Sequence, residues 1–154
     1  ALSIAYEIPH SQVTAVDVSP IALSVTRENA QRLGLEVRVQ HCDILQDQLP
    51  AGPYDLIISN PPYIPQREAE EMQAHVLDHE PALALFVPDQ DPLQFYRRIA
   101  TLATRNLSPD GCLLFEIHED MAEPIREMLA KLQYKNIDII RDLQDKYRII
   151  SATL

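Results

Sequence analysis

The 154 residues include no tryptophan, three phenylalanines, three glycines and two cysteines. Gly34, Gly52 and Gly111 stand far apart, so no glycine-rich phosphate loop can be built from them. Cys42 and Cys112 both lie inside apolar runs. A disulfide framework is thereby disfavoured, and a reducing cytoplasm fits better. No apolar run approaches the ~20 residues of a membrane span. The opening ALSIAYEIPH has neither a basic stretch nor a long apolar core, so it does not read as a signal peptide. Positive charge is also scarce. Thirteen basic residues face twenty-three acidic ones, for a net charge of -10. Nucleic-acid binders usually present a basic face, whereas here the basic clusters are as short as Arg97-Arg98. A polyanionic substrate is disfavoured unless a further domain supplies the charge.

What is present is an alternation of strands and helices. The length favours one domain, large enough for a proper core. Residues 1–8 read as the end of a helix. Residues 13–18 are β-branched and read as a strand. Ser19 is a good N-cap, Pro20 suits the first helical position, and Gly34 closes the helix that follows. Residues 36–42 alternate as a strand. The apolar run 54–59 reads as a buried strand. Residues 66–90 read as irregular, with a short helix near Glu68 to Met72. Pro92 opens a helix to about Leu107, residues 108–111 a turn, 112–117 a strand and 121–132 a helix. Strands near 136–140 and 147–153 close the chain as an antiparallel pair. This pattern predicts an α/β, Rossmann-like sheet, mostly parallel with an antiparallel C-terminal hairpin, and without an internal repeat or boundary.

Ligands of such sheets bind outside the carboxyl ends of the strands. Asp17, Asp43 and Asn60 stand at three such ends, which makes one shared site an expectation. Asp17 suits ribose hydroxyls, and the plain alternative is a surface carboxylate. Asp43 suits an exocyclic amine such as that of adenine, and the alternative is a cap or loop residue. After the third strand comes Ser59-Asn60-Pro61-Pro62-Tyr63-Ile64-Pro65. Asn60 and Pro61 each precede a proline, which drives both to extended geometry. Their carbonyls are kept out of a helical turn and can aim outward, and the Asn60 amide adds an acceptor and donors. Two acceptors converging on one NH2 would orient its lone pair. Tyr63 offers a flat, electron-rich wall for a planar amide and a nearby cation. The alternative is a rigid strand exit. His75 and His79 are spaced for a metal on a helix but lack a third ligand nearby, so no metal is expected.

The stretches AVDVSPIALSVTRENAQRLGL, HCDIL, YDLIISNPPYIP, HEPALALF, FYRRI and GCLLFEI, in this order, resemble class I S-adenosylmethionine-dependent methyltransferases. They are most similar to the HemK/PrmC protein glutamine N5-methyltransferases. Asn-Pro-Pro-Tyr alone is shared with adenine-N6 DNA and some rRNA guanine-N2 methyltransferases. The Ile64-Pro65 continuation and the Glu80 to Leu83 segment favour the glutamine branch. The resemblance implies S-adenosylmethionine as cofactor, with Asp17 on the ribose, Asp43 on the adenine and Asn60 where cofactor and substrate meet. Asn60 and the carbonyl of Pro61 would hold the substrate amide, with Pro62 and Tyr63 completing the catalytic turn. The implied substrate is the glutamine of the Gly-Gly-Gln loop in peptide-chain release factors, modified by a cytoplasmic monomer without direct nucleic-acid contact. The family's first, central strand, its glycine-rich loop and its N-terminal helical domain find no match here. Residues 1–154 are therefore expected to be a truncated catalytic domain. His118 and a residue near Asp145 stand where the family often has glycine. A dinucleotide-binding oxidoreductase would also use Asp17, but it leaves the Asn-Pro-Pro-Tyr turn unexplained. A non-catalytic fragment is the fourth reading.

Overall fold

The computed structural model describes residues 1–71 and 81–154. By its internal contacts the chain forms two compact units, residues 1–49 and 50–154. The first runs α1 (Leu2–Glu7), β1 (Val13–Asp17), α2 (Pro20–Leu33) and β2 (Val37–His41). Ser19 caps α2 as expected, its hydroxyl accepting from the Ala22 N–H at 3.3 Å. Gly34 ends the helix at φ 64, a left-handed conformation that costs glycine little, and its N–H bonds back to Ala30 and Gln31. β1 and β2 are parallel, from Val13 opposite Val37 to Asp17 opposite His41. Arg27 on α2 donates to the carbonyl of Val39 at 3.2 Å, tying helix to strand. Leu23, Ala30 and Cys42 are buried here.

The second unit holds a sheet of β3 (Tyr54–Ser59), β6 (Leu107–Glu116), β8 (Tyr147–Thr153) and β7 (Lys135–Arg141), in that order. β3 and β6 are parallel, and β8 runs antiparallel to both β6 and β7, so the closing hairpin is borne out. On one face of β6, Leu113 and Phe115 alternate inward, Ile117 continues the row, and β8 adds Ile150 and Ala152. Two helices cover this face. α4 (Gln94–Ala103) contributes Tyr96, Ile99, Ala100, Leu102 and Ala103, and α5 (Ala122–Lys131) contributes Ile125, Met128 and Leu129. Each large side chain buried there contributes about 1.5–3 kcal/mol. Tyr96 meets Phe115 edge to face at 5.1 Å. Cys112 points to the opposite, half-buried face.

Several boundaries differ from the sequence reading. α4 stops at Ala103, four residues early. Asn106 donates its side-chain amide to the carbonyl of Leu102 at 2.8 Å, and the Arg105 and Asn106 N–H groups take tightened bonds to Leu102 and Ala103. Such side-chain competition with the helical ladder is characteristic of asparagine. The turn at 108–111 lies within β6 as a bulge: Leu107 pairs with Tyr54 and Cys112 with Leu56, leaving four residues opposite Asp55. Ser108 closes it by donating to the Asp55 carboxylate at 3.1 Å. Gly111 is required there, because a Cβ would stand 2.8 Å from the carbonyl oxygen of Tyr54. β3 is not the buried strand expected. It is the last strand on its side of the four-stranded sheet, and Leu56 and Ile58 are 41% and 51% exposed.

The span expected to be irregular contains a short parallel pair, β4 (Ile64–Pro65) with β5 (Phe86–Val87). A 3-10 helix at Gln66–Glu71 and the four-residue α3 (Ala82–Leu85) flank it. Met72, His75, His79 and Glu80 lie outside the described residues. Among the described residues no helix is long and apolar enough to cross a membrane.

Candidate functional site

β3 delivers Asn60 at its carboxyl end, and the chain turns through two prolines before Ile64 enters β4. Pro61 is buried, Pro62 and Tyr63 are half-buried, and Asn60 is exposed. The pairing of β4 with β5 folds α3 back over this turn. Between them lies a cleft of about 80 Å³, lined by residues 60–64 on one side and by Ala84 and Leu85 on the other. At a liquid share of ~30 Å³ per water, that is room for a small planar group such as a carboxamide.

The polar atoms of the turn are unspent. Among the described residues, neither the Asn60 side chain nor the carbonyls of Asn60 and Pro61 make a hydrogen bond within the chain. Proline explains half of this, since Pro61 and Pro62 carry no N–H and hold their predecessors extended. A carboxamide and two carbonyls at the mouth of a small cleft can accept from one NH2 group. Tyr63 provides the cleft with a ring wall. The ring of His118 stands 5.9 Å from it, tilted by 50°. Below, Tyr96 is fully buried and donates its hydroxyl to the carbonyl of Glu116 at 3.0 Å. Burial, and then the neighbouring Tyr63 and Glu116, push the Tyr96 phenol well above its ordinary range.

Asp17 and Asp43 end neighbouring parallel strands of the first unit, which brings these two together. The carbonyl of Asp17 accepts from the Cys42 N–H at 3.0 Å, and Asp43 follows two residues beyond the last pair, Asp17 opposite His41. Asp17 Oδ1 accepts from the Ser19 N–H at 2.8 Å. Asp43 Oδ1 accepts from the Leu45 N–H at 3.0 Å, and the Asp43 N–H donates to Asp47 Oδ2 at 2.8 Å. Each aspartate thus shapes its own loop with one oxygen. A carboxylate has two oxygens, and the second on each has no partner among the described residues. Local structure and ligand binding are compatible at both positions.

Sequence reasoning noted His118 as a departure from the glycine of the family the chain resembles. It joins the site through tertiary packing against Tyr63. Ala84 and Leu85 entered only as part of a quoted stretch, and the β4–β5 pairing makes them cleft wall. Among the described residues no three His, Cys, Asp or Glu side chains are grouped to hold a metal.

Residues 1–85 match the family model described as the methyltransferase small domain. The chain is 42% identical over 153 residues to a release factor glutamine methyltransferase of Bacteroides thetaiotaomicron, covering 99% of this chain and 55% of that protein. A protein of the same name from Flavobacterium psychrophilum is 41% identical, covering 99% of this chain and 53% of its own length. The chain thus spans about half the length of these curated relatives. Among solved structures, a methyltransferase from Pyrococcus furiosus superposes with a TM-score of 0.70 at 18% identity, covering 99% of this chain and 67% of that one. These matches bear out the resemblance read from the sequence and the Rossmann-like fold.

Proposed function

The chain belongs to the methyltransferase small domain family, and from that premise we propose that it performs methyl transfer to the side-chain amide of a glutamine in peptide-chain release factors. The observation that carries this reading is the Asn60–Pro61 acceptor pair, unpartnered among the described residues, at a cleft of amide size walled by Tyr63. The names of the relatives from Bacteroides and Flavobacterium support it.

S-adenosylmethionine, when bound, supplies an electrophilic methyl group on a sulfonium. The chain offers groups that fit it. The second oxygen of Asp17 can accept from ribose hydroxyls, and that of Asp43 can accept from the adenine amine. Asn60 Oδ1 and the Pro61 carbonyl each accept one N–H of the substrate amide. Holding both hydrogens sets the direction of the nitrogen lone pair, which is otherwise delocalised into the carbonyl. Orientation of this kind, with the reacting atoms ~3–3.5 Å apart, is what a poor nucleophile needs most. A nitrogen held in this way would be set to take the methyl group that the bound cofactor would supply, the sulfonium sulfur keeping the electron pair of the broken bond. The proton of the methylated nitrogen would pass to water, so the chain need not supply a side-chain base. Tyr63 packs its ring face beside the amide plane and keeps the incoming positive charge near an electron-rich surface. This reading places the protein in the cytoplasm, acting as a monomer on a protein partner.

Radiolabelled S-adenosylmethionine and the full-length protein test this. Label should enter a release factor and vanish when the glutamine of its Gly-Gly-Gln loop is changed to alanine. Label in DNA or rRNA, with none in release factor, would overturn the reading in favour of a nucleic-acid amine.

A further inference from the structure

Among the described residues Tyr63 is the one aromatic side chain of the cleft wall, and its side chain makes no hydrogen bond. Something other than its hydroxyl must fix the ring. His118, which is not among the residues lining the cleft, sits against it, with ring centroids 5.9 Å apart and planes tilted by 50°, within the range of favourable aromatic pairs. His118 is itself anchored from several directions. Its Nδ1 accepts from the Asp120 N–H at 3.3 Å, capping the 3-10 turn Glu119–Met121. Its carbonyl accepts from the Met121 N–H at 2.9 Å. The preceding Ile117 N–H donates to Arg148 on β8 at 2.9 Å. The following Glu119 pairs with Lys146 of the β7–β8 hairpin at 2.8 Å. The ring therefore stands on a braced connection between β6 and α5, while Tyr63 stands on an irregular one.

We propose that His118 is a positioning residue: its ring buttresses Tyr63 and so fixes the wall of the cleft where the planar acceptor group packs. The inference deepens the methyl-transfer reading and rests on it for its kinetic consequence. His118 lies outside the cleft lining and acts through Tyr63 alone.

Two substitutions in the full-length protein separate the buttress from a merely structural cap. His118→Asn keeps a side-chain acceptor for the turn and removes the ring. His118→Phe keeps a ring and removes the acceptor. An aromatic pair accounts for roughly a two- to twelvefold effect. His118→Asn should therefore lower kcat/KM for the release factor about that much, with affinity for S-adenosylmethionine unchanged, and His118→Phe should restore it. The reverse ranking, Asn like wild type and Phe impaired, overturns the proposal and leaves His118 a turn cap. A second arm needs no turnover. NMR of the free protein should show cross-relaxation between the ring protons of His118 and Tyr63, and His118→Asn should shift the Tyr63 ring signals. No contact and no shift also overturn it. Absence of any transfer by the wild-type enzyme counts against the proposed function, and the ring-proton arm then decides on the buttress by itself.

Discussion

Replacing Asn60 by alanine should separate activity from stability. Asn60 is exposed, lies outside any helix or strand, and spends neither its amide nor its carbonyl within the described chain. No packed volume and no internal hydrogen bond are lost with the side chain. The stability change should stay within about 0.5 kcal/mol. At about 2–4 °C per kcal/mol for a chain of this size, the melting temperature should move by at most about 2 °C. Turnover should respond very differently. Removing one preorganised polar contact at a reacting centre typically costs about 10²–10³ in kcat, or about 2.7–4 kcal/mol. Asn60→Asp keeps an oxygen acceptor of similar shape but adds a charge beside the amide, so it should retain more activity than Asn60→Ala. The assay is single-turnover transfer of labelled methyl to a release factor by the full-length protein, with thermal unfolding of the same samples. Affinity for the cofactor should change much less than turnover. Full activity in Asn60→Ala would refute the role of the turn. A melting temperature lowered by many degrees would refute the claim that the amide is free.

Asp17→Ala should weaken cofactor binding by roughly 1.5–3 kcal/mol, the range for hydrogen bonds to charged groups. Since Asp17 also accepts from the Ser19 N–H, a loss of melting temperature should accompany it, and calorimetric titration of the folded protein separates the two effects. Tyr134 donates its hydroxyl to the carbonyl of Ala100 at 2.8 Å, and burial raises its phenol well above the ordinary range. A raised phenol stabilises fully below the unfolded value near 10 and loses that contribution as pH climbs towards the folded value. Tyr134→Phe should therefore flatten the alkaline fall of stability above about pH 10 in urea titrations. Its cost near neutrality should be only about 0.5–1.5 kcal/mol, because the Ala100 carbonyl keeps the Thr104 N–H as partner. Asp142 accepts from the Lys146 and Gln144 N–H groups and from Arg148, in that order of importance, which lowers its pKa. A lowered carboxylate stabilises above its unfolded value near 4 and loses this as pH falls through the folded value. Melting curves of Asp142→Asn from about pH 5 to about pH 2 should fall less steeply than those of the wild type.

The parts legible in the sequence were those set by neighbours along the chain. Ser19, Pro20 and Gly34 frame α2 because capping and left-handed geometry are local requirements. The closing hairpin was readable because Asp142 to Lys146 is a short polar link between two apolar runs. There Asp145 adopts φ 63, a left-handed conformation that aspartate tolerates better than most residues. Likewise the position of Asn60 followed from two prolines acting on their own predecessors. What stayed illegible depends on partners distant in sequence. Strands of two residues have no period, so β4 and β5 could not be seen, and with them went Ala84 and Leu85. Leu56 and Ile58 look like core residues in any strand, and only the sheet order shows their face uncovered. His118 meets Tyr63 from 55 positions away (118 minus 63), so no local pattern could pair them.

The exposed face of β3 has a consequence for handling the molecule. Among the described residues β3 has one unpaired edge and two bare aliphatic side chains, and such a strand can serve as a template for another chain. Such edges are commonly guarded by charge, and here the guard is diffuse: a net charge of -10 spread over the whole chain. Mutual repulsion keeps copies apart only while the carboxylates are ionised. As acid neutralises them the colloidal barrier falls, while Leu56 and Ile58 stay as sticky as before. Precipitation on mild acidification should begin while the secondary structure is still native, and it should lessen when Ile58 is changed to threonine.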